Sequence, residues 1–420
     1  MENKKNLKSN VWWLSATSFF TDISSEMIFP ILPIFLKNVL GASFSMIGVI
    51  EGIAEGLASL LKYFSGYLSD VIHRRKELTL LGYSLSAVSK LFFALAASPL
   101  SILFFRSLDR IGKGVRTSPR DALIAESVSP EERGKYFGLH RASDTLGAVI
   151  GTLIAILILY YFQSFGNFDN KAVADAIRLI LLLSFIPAVI GISLLFFVKE
   201  VSPHQDGSKH SSREIKKIFQ FGKFSFDFKF FLIIAALFGL ANYSYSFYIL
   251  KANELRMAIF LIPVLYLFYN IFYASSAYPS GSFSDKVGRV PVLVSAFVLF
   301  ALVNIGFAYV TDTAYLWPLF VLYGLFIGIT DGVLKAFVSD LSFKENRGEA
   351  FGLYHTVIGF STIIGNITAG FVWQKYGSFF PFIISAVLIL AASILLGSKF
   401  LNHNGIRTTK SPKDFKAYRS

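Results

Sequence analysis

Charged side chains occur inside hydrophobic segments of this sequence, where burying a charge is costly and usually marks a pathway or coupling site. Asp22 and Glu26 lie in the first such segment, and Glu51 and Glu55 lie in the second. Each pair is four residues apart, so its two carboxylates share one face of a helix. Two neighbouring buried acids tend to hold one proton between them, which suits proton exchange. We therefore expect Asp22 and Glu26 to carry a proton, with Glu51 and Glu55 as the second candidates.

Basic side chains are concentrated in the fourth hydrophobic segment and at the start of the fifth. Guanidinium groups bind carboxylates and phosphates through paired hydrogen bonds, so this region could hold an anionic substrate. The candidate substrate-binding residues here are Arg106, Arg110, Lys113, Arg116 and Arg141. Asp109 and Asp144 lie beside them and are further proton-coupling candidates. The alternative for the acids of the first two segments is permanent pairing with these cations.

The second half of the chain has fewer deep charges. Asp331 and Lys335, four residues apart, and His355 complete the candidate substrate-binding residues. Amphipathic rings are frequent in this half, at Tyr243, Tyr245, Tyr248, Tyr266 and Tyr269. We expect the N-terminal half to hold the ionic machinery and the C-terminal half to supply an apolar, aromatic wall.

The composition is that of a membrane protein. Of the 420 residues, 54% are hydrophobic and only 16% are charged, whereas a soluble protein carries about 25% charged residues. The net charge of +13 would suggest nucleic acid in a soluble protein, but here the cations lie between hydrophobic runs and indicate topology instead. The chain has no cysteine and six scattered histidines, so we expect neither a metal site nor another cofactor.

Twelve segments come close to the length of a membrane-spanning helix, which is about 20 residues. In chain order they are 12–36, 44–68, 78–98, 100–124, 135–162, 176–198, 229–250, 257–280, 291–311, 314–340, 347–373 and 377–399. The fourth and tenth are the least hydrophobic, and hydropathy alone could overlook them. We expect an all-α membrane protein with one helix bundle in 1–198, a linker at 199–228, a second bundle in 229–400 and a tail at 401–420.

Lys and Arg are unevenly distributed between the loops on the two sides of these spans. One side, which we name the basic face, receives most of them, including Arg74, Arg133, Arg289 and Arg347. Short loops rich in Lys and Arg stay in the cytoplasm. We therefore expect the basic face and both termini to be cytoplasmic, in the inner membrane of a prokaryotic cell.

Two short signatures each occur twice in the chain. The segment 66–76 reappears in altered form at 281–289, an offset of 215 positions. The segment 133–139 reappears at 347–353, an offset of 214 positions. The chain is therefore two related halves, and duplicated membrane bundles are the usual architecture of secondary transporters.

The first signature, Gly-x-x-x-Asp-(Arg/Lys)-x-Gly-(Arg/Lys), resembles motif A of the major facilitator superfamily. The second copy matches it fully, through residues that include Asp285 and Arg289, while the first copy has His73 where glycine is usual. Arg106 resembles the arginine of motif B, and the segment 147–151 resembles the antiporter motif C. The likeness covers nearly the whole chain, which is similar to the drug–proton antiporter branch or to a less characterised prokaryotic relative.

This resemblance implies two six-helix bundles that face each other across a central cavity and rock to open it to either side. It also implies a gate, in which Asp70 caps the helix that begins near Gly348 and Asp285 caps the helix that begins near Gly134. A carboxylate gains from the free N–H groups and the dipole at a helix N-terminus. We expect these contacts only when the basic face is closed. The gate residues are Gly66, Asp70, Arg74, Gly281, Asp285, Arg289, Glu126 and Asp340.

Two ion pairs are expected beside the gate. The repeat makes Glu126 and Asp340 equivalent positions. We therefore expect Arg74 to pair with Glu126, and Arg289 to pair with Asp340.

The function predicted is secondary-active transport of a small organic solute by alternating access, coupled to protons, with efflux of drug-like or siderophore-like compounds favoured. An anion-linked exchanger or uniporter, which binds substrate with the basic fourth helix, is the alternative. A membrane-embedded enzyme would need a nucleophile–base pair or a metal cluster. The six scattered histidines argue against a metal site, and no nucleotide-binding loop is found. A non-transporting sensor would need no acids in the middle of the membrane. We expect a monomer in the lipid bilayer, with no nucleic-acid partner.

Overall fold

The structure is a computed structural model, and it describes residues 2–72, 74–129, 132–165, 170–200, 224–342 and 346–400. All regular secondary structure in these ranges is helical. The expected linker lies largely outside the described residues, and the expected tail lies wholly outside them.

The N-terminal half contains eight helices among its described residues, which form six spans. They are α1 (Glu2–Ile28), α2 (Leu32–Ile34), α3 (Phe44–Ile72), α4 (Arg75–Leu95), α5 (Pro99–Glu126), α6 (Arg133–Phe165), α7 (Asn170–Leu183) and α8 (Phe185–Leu195). A π-helical segment, Phe35–Val39, extends α2. The first span breaks after Ile28 because Pro30 and Pro33 cannot donate the backbone hydrogen bonds that would continue α1. The sixth span consists of α7 and α8.

The C-terminal half contains seven α-helices in its described residues, and these also form six spans. They are α9 (Phe226–Ala241), α10 (Tyr245–Glu254), α11 (Leu261–Val287), α12 (Arg289–Tyr309), α13 (Leu316–Asp340), α14 (Arg347–Tyr376) and α15 (Phe379–Phe400). The seventh span is broken between α9 and α10 without a proline. Ser244 caps α10 by accepting from the N–H of Ser246. The side chain of Asn366 on α14 accepts a hydrogen bond from the backbone N–H of Ser244 at 2.7 Å. A neighbouring helix thus supplies a partner for a backbone group at the break.

Hydropathy and packing together give twelve spans. Eleven helical segments of the described chain are long and apolar enough to cross a membrane, and α5 is missing from that set. The expectation that hydropathy would overlook the fourth span is thus confirmed, but for the tenth span it was wrong, since α13 qualifies. Helix α5 has too many charged residues to count as a membrane span by hydropathy. It nevertheless packs along α3 and α4 inside the first bundle.

The duplication is visible in equivalent hydrogen bonds. The hydroxyl of Ser65 donates to the carbonyl of Gly114 at 2.8 Å. In the second half, Ser280 donates to the carbonyl of Gly328 at 3.4 Å. The two serines are 215 positions apart and the two glycines are 214 positions apart, as in the repeated signatures. The same hydrogen bond therefore joins the second and fourth spans of each bundle, which are α3 and α5 in the first and α11 and α13 in the second.

The two halves meet tightly at the face opposite the basic face. The side-chain amides of Asn38 and Asn253 donate to each other across the halves, at 3.0 and 3.1 Å. These residues are 215 positions apart, so they are equivalent in the repeat and lie at its pseudo-two-fold axis. Nearby, Phe44 stacks on Trp373 with ring centroids 4.9 Å apart. This side of the molecule is closed.

At the basic face the halves are apart. A Cβ atom added to Gly134 or Gly348 would have no described heavy atom within 4 Å. The side chains of Tyr278 and Phe283, near the basic end of α11, are 85% and 58% exposed. The structure is therefore open toward the basic face.

We predict that a short thiol-specific cross-linker joins Asn38→Cys to Asn253→Cys in the purified protein, because the two side chains touch in this conformation. The natural chain has no cysteine, so there is no competing thiol. Mass spectrometry of the cross-linked peptides gives the yield. A Gly134→Cys, Asp285→Cys pair at the open face is the control and should react more slowly; equal or faster reaction there would contradict the described conformation.

Candidate functional site

A cavity lies between the two bundles. Helices α1, α5 and α6 line it from the N-terminal half, and α11 lines it from the C-terminal half. Its charged residues are Asp22, Glu26, Asp109, Asp144, Lys113, Arg116 and Arg141. Seven of the candidate residues, from three separate stretches of sequence, are thus brought together at one place.

The first acid pair faces this cavity. Asp22 and Glu26 are half-buried on one face of α1. Glu26 accepts a hydrogen bond from the side chain of Asn270, on the other bundle, at 3.3 Å. In the described part of the chain, no cationic side chain comes within 4 Å of either carboxylate, and Asp22 accepts no hydrogen bond. The acid pair is therefore accessible and free of ion pairs.

The second acid pair is bound to arginines. The carboxylate of Glu51 lies 3.5 Å from the guanidinium of Arg106, and both side chains are fully buried. Glu55 lies 3.1 Å from Arg110. In this conformation Glu51 and Glu55 are thus paired with arginines, as in the alternative that the sequence left open.

The buried Arg106–Glu51 pair also joins the two bundles. Arg106 donates to the hydroxyl of Tyr245 at 3.1 Å, and Ser244 donates to Glu51 at 2.9 Å. Both partners lie at the break in the seventh span. Sequence reasoning treated Tyr245 only as an amphipathic ring and missed Ser244, since a single serine in an apolar run gives no signal.

The aromatic ring of Phe29 contacts both Arg106 and Arg110. The guanidinium carbons of Arg106 and Arg110 lie 4.8 and 4.7 Å from the ring centroid of Phe29. Cation–π contacts of this kind are strengthened where water is excluded. Phe29 lines the described cavity, whereas Arg106 and Arg110, which the sequence predicted to bind substrate, are not among its lining residues.

Asp109 and Arg116 are connected through a serine that the sequence did not predict. Ser86 of α4 donates to Asp109 at 2.8 Å and accepts from Arg116 at 2.8 Å. The guanidinium of Arg116 also lies 4.3 Å from the ring centroid of Tyr83. Both groups line the cavity but are fixed in position by these contacts.

A second polar chain crosses between the bundles. Arg141 donates to the hydroxyl of Tyr273, and Tyr273 donates to Asp331 at 3.3 Å. Asp331 pairs with Lys335 at 2.6 Å. The acid of α6, Asp144, lies 3.1 Å from the Nδ1 atom of His140. Tyr273 lines the cavity from the second half, whereas the five tyrosines named from the sequence are not among its lining residues.

Lys62 was missed by the sequence reasoning. It follows Glu55 by seven residues and so shares its helix face, which was a usable signal. Lys62 faces Lys335 and Asp331 from the opposite bundle. His355 packs beside the ring of Tyr354 with centroids 5.2 Å apart and faces Lys62 and Lys335. Asp331, Lys335 and His355 are not among the residues that line the described cavity.

One of the two predicted pairs beside the gate is present. The Nε atom of Arg289 lies 3.4 Å from Asp340. The prediction for Arg74 was wrong, because Glu126 pairs with Arg75 and Arg74 pairs with Glu77. Helix α4 begins at Arg75, so Arg75 is directed toward the end of α5 while Arg74 precedes the helix.

Asp285 does not cap the opposite bundle in this conformation. The side chain of Asp70 and all of His73 lie outside the described residues. Asp285 lies 2.5 Å from Arg289 and is 64% exposed. Gly288, equivalent to His73 in the repeat, ends α11 with φ of +96°, a conformation that favours glycine. The capping contacts stay predictions for a form closed at the basic face.

Comparison with known proteins gives a consistent result. The family model described as Major Facilitator Superfamily matches residues 14–272 and 250–418. A protein of Methanocaldococcus jannaschii named as an uncharacterised MFS-type transporter is 40% identical over 402 residues, which is 94% of this chain and 96% of that protein. The multidrug resistance protein MdtH of Photorhabdus laumondii is 31% identical over 135 residues, which is 32% of this chain and 33% of that protein.

Solved structures show the same fold. The nucleoside transporter NupG superposes with a TM-score of 0.74 at 14% identity, covering 93% of this chain and 98% of that one. A bacterial homologue of the lysosomal transporter Spinster, inward-facing and unoccupied, gives a TM-score of 0.71 at 14% identity, covering 93% and 96%. At these identities the likeness concerns the fold of twelve helices in two bundles.

We predict that Arg106→Met destabilises the protein by about 3–5 kcal/mol, because it leaves the Glu51 carboxylate buried without its cation. The free energy of unfolding in mixed detergent micelles measures the effect. Adding Glu51→Gln to this variant should recover part of the loss.

Lys335→Met is the matched control, since Lys335 and Asp331 form a half-exposed pair and such pairs contribute about 0–1 kcal/mol. An Arg106→Met variant no less stable than Lys335→Met would contradict the structural role of the buried pair.

Proposed function

This chain belongs to the Major Facilitator Superfamily, and we propose that it moves a small organic solute across the membrane by alternating access, driven by protons. Membership makes it a multi-pass membrane transporter of small solutes. We propose Asp22 and Glu26 as the groups that carry the proton. Efflux is the favoured direction, and the relative named as a multidrug resistance protein supports it over the third of the chain that it matches.

The orientation follows from the distribution of basic residues. We propose that the basic face is cytoplasmic, in an inner membrane, because short loops rich in Lys and Arg stay on that side. The described conformation, open at the basic face, is then inward-facing. In the outward-facing form, Asp70 and Asp285 would cap α14 and α6, where a carboxylate contributes about 0.3–1 kcal/mol. Such contacts bias the equilibrium only because they exist in one of the two forms.

One observation carries the proton assignment. The carboxylates of Asp22 and Glu26 face the cavity without a cation within 4 Å among described residues, whereas Glu51 and Glu55 are bound to arginines. Protonating an acid in an ion pair leaves the partner charge uncompensated in a medium of low dielectric. Protonating Asp22 or Glu26 breaks no pair. The first acid pair can therefore load and release a proton while the helix packing stays intact.

The alternative use of the cavity is supported by its cations. Lys113 lines the cavity, and it has no hydrogen bond or ion pair with any side chain in the described ranges. Arg116 and Arg141 line the same space. An anionic substrate could bind these groups directly, in which case the protein would be an anion-linked exchanger or a uniporter. A requirement for a pH gradient separates this alternative from proton-driven transport.

We predict that Asp22→Asn combined with Glu26→Gln abolishes transport driven by a pH gradient, because amides of the same shape cannot carry a proton. Purified protein in liposomes with a trapped pH-indicator dye reports proton movement when drugs, siderophores, sugars and organic anions are added in turn. The control is Asp227→Asn, whose side chain pairs with Lys399 at the start of α9, away from the cavity.

Flux in the double variant equal to that of the unchanged protein would contradict the proton assignment. Flux that is independent of the pH gradient in every protein would favour the anion-linked alternative.

A further inference from the structure

One buried lysine in the third span has no role in the proposed transport function. Lys90, on α4, is 1% exposed. Its ammonium donates to the hydroxyl of Ser25 at 2.9 Å and to the carbonyl of Thr21 at 3.4 Å. Among described residues, no carboxylate comes within 4 Å of it. A buried cation at membrane depth is normally paired, so this arrangement calls for a function.

The position of Lys90 relates it to the acid pair. Its two acceptors belong to α1, where Thr21 immediately precedes Asp22 and Ser25 immediately precedes Glu26. Lys90 does not line the described cavity, whereas Asp22, Ser25 and Glu26 do. The ammonium therefore approaches the acid-bearing turn of α1 from within the bundle.

Other charged and polar groups face these residues from α1, α5, α6 and α11. Asp22 is faced by Glu26 on its own helix, by Lys113 and Arg116 on α5, and by Asp144 on α6. Glu26 is faced by Lys113 and Arg110 on α5 and by Tyr266 and Asn270 on α11. Lys90 is faced by the carboxylates of Asp109 and Asp22 and by the guanidinium groups of Arg116 and Arg110.

Asp109 does not need Lys90 as a counter-charge. It accepts from Ser86 at 2.8 Å, and the guanidinium groups of Arg106 and Arg110 lie 3.9 and 4.0 Å from its carboxylate. Asp22 has no such partners. The ammonium of Lys90 thus faces an unpaired carboxylate, that of Asp22, beside the Thr21–Ser25 turn, and Asp22 is also faced by the cations Lys113 and Arg116.

We propose that Lys90 is a positioning residue for proton coupling, which holds the turn of α1 that bears Asp22 and Glu26 and sets the pH at which this pair takes up its proton. The inference rests on the proposed function of the pair. A positive charge nearby favours the ionised form of a carboxyl group. Removing that charge should let the pair bind its proton at higher pH, and the hydrogen bonds to α1 alone would not produce this effect.

The test is an infrared pH titration of the purified full chain, which needs no substrate. The carbonyl stretch of protonated carboxyls is recorded against pH, and the part lost in the Asp22→Asn, Glu26→Gln variant is assigned to the pair. Lys90→Gln removes the charge and keeps a donor for Ser25. We expect it to move the midpoint of this band upward by about one pH unit. Lys90→Arg keeps the charge and should restore the original midpoint.

Lys251→Gln is the matched control. Lys251 is a second buried lysine that donates to a serine, Ser378, at 2.9 Å, but it lies in the seventh span. Its substitution should leave the midpoint unchanged. If Lys90→Gln does not fold, Lys90→Met takes its place in the same comparison.

Three results would overturn the inference. They are an unchanged midpoint in the neutral Lys90 variant, an equal upward shift in Lys90→Arg, and an equal shift in Lys251→Gln. None of these results contradicts the proposed function as long as the infrared band assigned to Asp22 and Glu26 is observed. If the Asp22→Asn, Glu26→Gln variant loses no band at any pH, the proton assignment fails and the inference fails with it.

Discussion

A charge buried at membrane depth must have a partner or a function, and this constraint organises the whole molecule. The basic α5 can cross the membrane only because α3 and α4 surround it and supply Glu51, Glu55 and Ser86. Among the described residues, Asp22, Glu26 and Lys113 at the cavity and Lys90 within the bundle have no ion pair. Glu51 and Glu55 are bound to arginines, whereas Asp22 and Glu26 face the cavity without an arginine within 4 Å in the described ranges.

Breaks in two helices place these groups. The prolines of the first span bring Phe29 against the guanidinium groups of Arg106 and Arg110. The capped break in the seventh span presents Ser244 and Tyr245 to the Arg106–Glu51 pair. The two broken spans also meet at Asn38 and Asn253, where the repeat places equivalent residues in contact. One closed interface thus runs from the buried ion pair to the face opposite the basic face.

Much of this could be predicted from the sequence because charges and repeats are strong signals in an apolar chain. The twelve spans, the duplicated halves, the clustering of acids and bases, and the Arg289–Asp340 pair were all readable from spacing. Neutral polar partners such as Ser86 and Ser244 were not, because serine is common in membrane helices and its role depends on which helix it meets. The pairing of Arg75, not Arg74, with Glu126 depended on the residue at which α4 begins, and a shift of one position changes the direction of a side chain.

The central claim is that the acid-bearing face of α1 lines a water-filled cavity open to the basic face. Single cysteines along this helix test it most directly, since the natural chain has none. A membrane-impermeant thiol reagent applied from the basic face should label Asp22→Cys and Glu26→Cys and leave Ile23→Cys and Ser24→Cys unlabelled, because Ile23 and Ser24 are buried. Labelling of Ile23→Cys and Ser24→Cys with protection of the two acid positions would contradict the account.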